Sequence, residues 1–286
     1  MKNMKKALAL VLVFAMLFVV AGCGKKDDGG SGSKGTLTAR EVADKMIEAT
    51  SKVKSVKNDI TCKITIDMAI EAEGTSFDMS MKMDMAMESI TSSDPVAAYT
   101  KTDMVMEYMG QSETQATEIY LVEEDGEFVT YTLFDGDWDR SVVDAAYKDQ
   151  MAKGIDYSYL KDVKDDVLTL EKKTEKVDGK ETYVLSFSVS GDYLTSLGMD
   201  MEELVGMGVD MTDISFPMTM YIDTETFLPA RVTVNLNGMS EMLDKMMKES
   251  MGDIGAELKM DIKCEDFVST MTYNVEVPAL PAEAEN

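Results

Sequence analysis

The chain of 286 residues holds 53 acidic and 28 basic side chains and no histidine, for a formal charge of −25. That balance excludes a nucleic-acid binder, which needs clustered Lys and Arg against phosphate, and it gives the body no electrostatic hold on an anionic bilayer. Without histidine, the commonest general base and metal ligand are missing, and Ser-His-Asp and Cys-His chemistry is excluded.

Lys2, Lys5 and Lys6 precede an unbroken apolar run over residues 7–21. Fifteen residues rise about 22 Å as a helix, short of a hydrocarbon core of about 30 Å, so residues 1–22 read as a signal peptide. Its end, Val20-Ala21-Gly22-Cys23, resembles the bacterial lipobox. The resemblance implies cleavage before Cys23 and acylation of that residue. Two acyl chains hold a protein stably where one holds only marginally. The localisation implied is the extracytoplasmic face of the cell membrane, with a lipid anchor at Cys23. Removal of residues 1–22 leaves 264 residues of formal charge −28. Residues 23–35 are then the lipidated Cys and a polar, Gly/Ser/Lys/Asp-rich tether, and residues 36–286 a single domain.

Thr38-Ala39-Arg40-Glu41 fits a capping box, and Val42, Met46, Ala49, Val53 and Val56 recur at helical steps, which predicts a helix ending near Lys57. From Asp59 the period becomes two. Ile60, Cys62, Ile64, Ile66, Met68, Ile70 and Ala72 alternate with mostly polar residues, the pattern of a strand wet on one side only. After Gly74, Phe77, Met79, Met81, Met83, Met85 and Met87 share a face of the next strand. Further strands follow around Tyr99–Tyr108, Ala116–Val122 and Phe128–Phe134, the last opened by Asp125-Gly126. Residues 144–163 read as one or two short helices. Strands are expected over Val167–Lys173 and Thr182–Ser190, joined at Asp178-Gly179, and a helix over 192–205. Strands at 214–222 and around Val232–Leu236, a helix at 240–251, and strands from Leu258 to the C-terminus complete the set. The fold class is α+β: a curved antiparallel sheet of about ten or eleven strands, an incomplete barrel closed by a few helices.

The order of elements, together with Met220-Tyr-Ile-Asp-Thr-Glu-Thr-Phe-Leu-Pro-Ala-Arg231, resembles the LolA/LppX-like bacterial lipoproteins, which carry lipids or lipoproteins. The resemblance implies an incomplete barrel with an apolar cavity, and the helix after Thr38 packed inside the curve.

The mature chain has 24 methionines. Met79, Met81, Met83, Met85 and Met87 make a ridge that Met104, Met106, Met218 and Met220 could extend. Methionine is pliable and polarizable, which suits a wall that fits variable hydrophobic ligands, and it fills irregular cores equally well. Soft thioethers also admit Cu(I). Sulfurs on one strand face lie about 6.8 Å apart, too far to share an ion, so copper would need cross-strand pairs. Cys62 and Cys264 lie on apolar faces of the first and last long strands, either as a disulfide or as two buried thiols. Asp135-Gly136-Asp137-Trp138-Asp139 begins like a calcium loop but lacks its later ligands, since Arg140 and Ala146 stand where Gly and Glu are needed. Gly206-Met207-Gly208 lacks the rest of a dinucleotide fingerprint.

The reading is a non-enzymatic, membrane-anchored lipoprotein that binds a lipid or other hydrophobic ligand, with no cofactor, no catalytic residue and no nucleic-acid partner. The alternatives are an envelope interaction or scaffold lipoprotein with a filled core and an envelope protein as partner, and a Met-rich Cu(I) binder.

Overall fold

The computed structural model describes residues 37–72, 75–108, 110–143, 157–190, 215–236 and 257–285. One α-helix, α1 (Ala39–Thr50), opens it. Thr38 caps the helix, its hydroxyl accepting from the Glu41 amide at 3.2 Å, and Glu41 accepts from the Thr38 amide at 2.8 Å. These two bonds satisfy amides that the first turn leaves without carbonyl partners. The helix stops seven residues before the expected Lys57. Val56 fits a helical stripe and an even-numbered strand face equally well, and the sheet takes it: it is buried in β1, opposite Tyr273 and Thr91.

Six strands follow as a meander: β1 (Ser55–Ala72), β2 (Thr75–Ser93), β3 (Val96–Tyr108), β4 (Gln111–Glu124), β5 (Glu127–Phe134) and β6 (Asp137–Val142). A 3-10 turn at Ser158–Lys161 precedes β7 (Thr169–Leu170), β8 (Glu175–Val177), β9 (Lys180–Ser190), β10 (Ser215–Asp223) and β11 (Pro229–Val234). The chain ends with β12 (Glu257–Cys264) and β13 (Phe267–Tyr273). Two-residue turns at Asp125-Gly126, Asp135-Gly136 and Asp178-Gly179 put both central residues at positive φ. That is the conformation a twisted hairpin requires, and Asp-Gly adopts it at little cost. The calcium-like Asp135-Gly136 is thus a hairpin turn.

Among the described residues, all thirteen strands belong to one sheet, ordered β6-β5-β4-β3-β2-β1-β13-β11-β10-β9-β7, with β12 beside β1 and β8 beside β9. Every pairing is antiparallel, and β6 and β7 end the path without meeting, so the barrel is incomplete. The count exceeds the expected ten or eleven for two reasons. The stretch Val167–Lys173 pairs only at Thr169 and Leu170 and is followed by the separate short β8. The last long strand is broken in two.

That break follows from β1, which pairs with β2 throughout and on its other side with two partners in turn. β13 covers its first half and β12 its second. The register slips by one residue between Thr61↔Val268 and Ile64↔Cys264, so Glu265 and Asp266 form a bulge. β13 then pairs with β11 on its far side, joining the two meanders. The helices expected at 192–205 and 240–251, the start of that expected at 144–163, and Gly206-Met207-Gly208 lie outside the described residues. Among the described residues no helix is long and apolar enough to cross a membrane.

Candidate functional site: the sulfur-rich inner face

Strand periodicity sends alternate residues to one side of the sheet, and register aligns them in rows across it. One row is Cys62–Met85–Met104 across β1, β2 and β3. The next is Cys264–Ile64–Met83–Met106, starting from β12. On the other side of β13, Val234–Met218–Phe187 and Val232–Met220–Leu185 continue the same surface. Val42, Ala43, Met46 and Ile47 of α1 pack onto it.

This places the candidate residues. Met83, Met85, Met87, Met104, Met218 and Met220 are buried in one apolar cluster with Cys62, Cys264 and the inner side of α1. Met81 and Met106 are partly buried against it. Met79 stands apart: opposite Met68, it borders a groove of about 470 Å³ lined also by Asp67, Ala69, Asp78, Ser80 and Asp261. These last five alternate with the buried positions of their strands, while Met68, which also lines the groove, shares the inner parity of Met79, so the groove wraps the tip of β1, β2 and β12. Exposure along β2 thus falls from half-buried Met79 and Met81 to Met87, only 3% exposed.

The inner positions of β1, β2 and β3, from Val56 to Met68, Met79 to Thr91 and Ala98 to Tyr108, carry no charged side chain. The polar groups there are neutral. Ser269 Oγ donates to Asn58 Oδ1 at 3.3 Å, and Ser89 and Thr100 hydroxyls lie 3.3 Å apart. Burial, and then the neighbouring Cys264 and Glu265, push the Cys62 thiol up to about 12. Cys62 and Cys264 are both buried and are not joined in a disulfide, the second of the two arrangements the sequence allowed.

Two features escaped the sequence reading. Arg40 clamps the 3-10 segment over α1, its guanidinium donating to Asp165 at 2.7 Å, to the Leu160 carbonyl at 2.6 Å and to the Val163 carbonyl. Tyr157, Leu160 and Leu168 are thereby held in the main cluster. On the opposite side of the sheet, the register row Ile90–Tyr99–Tyr120–Tyr131 runs across β2 to β5 under Val275, Val277, Leu280 and Ala284 of the C-terminal segment. The long spacing in sequence left no local signal for either.

The Tyr-Ile-Asp…Leu-Pro motif is a turn device. Asp223 Oδ1 accepts from the Glu225 and Thr226 amides at 2.9 Å each, and the Asp223 amide donates to the Leu228 carbonyl at 2.9 Å. Burial pushes the Asp223 carboxyl up. The amide bonds from Thr226 and Glu225, the Thr226 hydroxyl and the Lys180 ammonium outweigh it and hold the group below the usual carboxylate range. Phe227, at φ 58°, stacks on Tyr183 and receives the Lys45 ammonium of α1 over its ring.

Fold and site together define a class: an open antiparallel sheet whose methionine-rich inner face, uncharged across β1, β2 and β3, packs against one amphipathic helix among the described residues. The chain belongs to the family of unknown function DUF6612, whose model matches residues 38–252. No curated protein matches it. Among solved structures it is similar to the lipoprotein LppX of Mycobacterium tuberculosis, with 12% identity over 84% of this chain and 97% of that one and a TM-score of 0.38. It is similar to LprF from Mycobacterium bovis at 14% identity, over 84% and 96%, with a TM-score of 0.37. A putative outer membrane lipoprotein-sorting protein domain from Vibrio parahaemolyticus is similar at 10% identity, over 84% and 95%, with a TM-score of 0.25.

Proposed function

We propose that this chain is a non-enzymatic binder of a lipid or another hydrophobic molecule, held on the extracytoplasmic face of the membrane by an acylated Cys23. The observation that carries the reading is the inner face of β1, β2 and β3: uncharged, and walled by unbranched thioethers whose exposure rises toward one end. Each Å² of acyl surface moved onto such a wall is worth roughly 25 cal/mol, and flexible methionines adapt to chains of different shape. A neutral wall has nothing to repel or trap a head group, so the polar end of the ligand stays at the rim.

The test is mature protein purified without detergent, examined by native mass spectrometry and solvent extraction and then titrated with a fluorescent fatty acid. Co-purified lipid, or uptake that Met81→Lys abolishes, supports binding. A ligand-free protein with no uptake overturns it. The latter result favours the envelope-scaffold alternative, whose supporting observation is the near-complete burial of Met83, Met85 and Met87 within the main apolar cluster. Separately, Cys23→Ser is expected to shift the protein from the membrane to the soluble fraction.

A further inference from the structure

The two cysteines and the methionine rows meet in a way that fatty-ligand binding does not use. Cys62 stands opposite Met85, and Met85 opposite Met104, in consecutive register pairs. Opposed residues of an antiparallel pair lie about 4.5–5.5 Å apart at Cα, against about 6.8 Å for same-face neighbours along a strand. Each adjacent pair in the row is thus closer than same-face neighbours along one strand; Cys62 and Met104 flank Met85 two strands apart, a span that the long, flexible thioethers of Met85 and Met104 can close by leaning toward Cys62. Cys264 and Met83 belong to the adjacent row. All five are buried in the same cluster.

We propose that Cys62, Met85 and Met104 form a buried site for a soft monovalent cation, Cu(I), with Cys264 and Met83 beside it as further sulfur donors. Thiolate and thioether ligands select Cu(I) over the hard cations that the many surface carboxylates attract. Binding transfers no electron: the Cys62 thiol releases its proton to solvent, and a Cu–S bond forms in place of S–H. Cation and thiolate cancel, so the complex enters an uncharged face without the penalty of an isolated buried charge. The proposal is independent of the lipid reading.

The experiment uses the full chain carrying Cys23→Ser, reduced and handled without oxygen, with Cu(I) supplied as its acetonitrile complex in competition with a chromogenic Cu(I) chelator. One copper per chain is expected by native mass spectrometry, with sulfur-only coordination by X-ray absorption. Cys62→Ser, or Met85→Leu with Met104→Leu, loses the ion, whereas Met68→Leu with Met79→Leu at the tip retains it. Leu for Met nearly conserves volume, and circular dichroism checks that the fold persists. Protection of the Cys62 and Cys264 thiols from alkylation in the copper-loaded parent gives a readout that needs no core variant. Failure of the reduced chain to take copper from the chelator, oxygen or nitrogen coordination, or capture indifferent to the Cys62 and Met85/Met104 substitutions overturns the site.

Discussion

Ser269 donates to Asn58 at 3.3 Å across a sequence separation of 211 residues, both side chains almost wholly buried. The pair lies where β13 meets β1, the seam that joins the two meanders. A neutral hydrogen bond in this setting contributes modestly. Leaving one partner alone costs more, about 1–3 kcal/mol. Asn58→Leu and Ser269→Ala are each expected to lower stability by about that amount, and the double variant by less than the sum of the two. Urea unfolding of the four proteins of the cycle checks this, and additive losses would refute coupling.

Met46 is fully buried where α1 enters the main cluster. Met46→Ala removes packed atoms from the cluster that α1 helps to bury, and a loss of about 2–5 kcal/mol is expected. Thr38→Ala removes only the cap and should cost about 1 kcal/mol. Thermal melts that rank the two in the opposite order would show that α1 is held by its end rather than by its face.

Asp223 gives a pH dependence of defined sign. Its folded-state carboxyl is held below the ordinary value of 3.8, so its contribution is present above that pH and is lost as pH falls through the lower folded value. Asp223→Ala should therefore be destabilising near neutrality by about 1–2 kcal/mol, with the gap to the parent closing below pH of about 4. The Lys180 ammonium, 3.9 Å away and well exposed, contributes little, so Lys180→Ala should leave the profile almost unchanged. Denaturation midpoints measured from pH 7 down to 3 decide the matter.

Gly126 occupies the second position of the β4–β5 turn at φ 85°, with nothing near the place a side chain would take. Gly126→Ala meets no clash, so its cost is conformational alone, of order 1 kcal/mol. A larger loss in a thermal melt would point to a contact that the turn geometry does not contain.

Much of the architecture was legible in local pattern. Alternation from Ile60 to Met68 and from Met79 to Met87 reports which side of each strand is dry, because side chains on a strand repeat every two residues. Three Asp-Gly pairs mark hairpins, because φ is positive at both central positions. Thr38 and Glu41 mark the helix start through the bonds they make. The helix end was not legible: Val56 satisfies both periods, and the choice fell to its cross-strand partners 35 and 217 residues further along, Thr91 and Tyr273.

What the sequence alone determined, then, is the kind of surface each described segment presents: an amphipathic helix after Thr38, and strands with one apolar side each. Which of those sides meet was decided only in three dimensions. Register between β1, β2 and β3 aligns Cys62 with Met85 and Met104, and a one-residue bulge at Glu265–Asp266 lets the final strands serve both halves of β1. Local periodicity sets a side chain's direction. Neighbours hundreds of residues away are chosen by the sheet's hydrogen-bond ladder, which no short stretch of chain encodes.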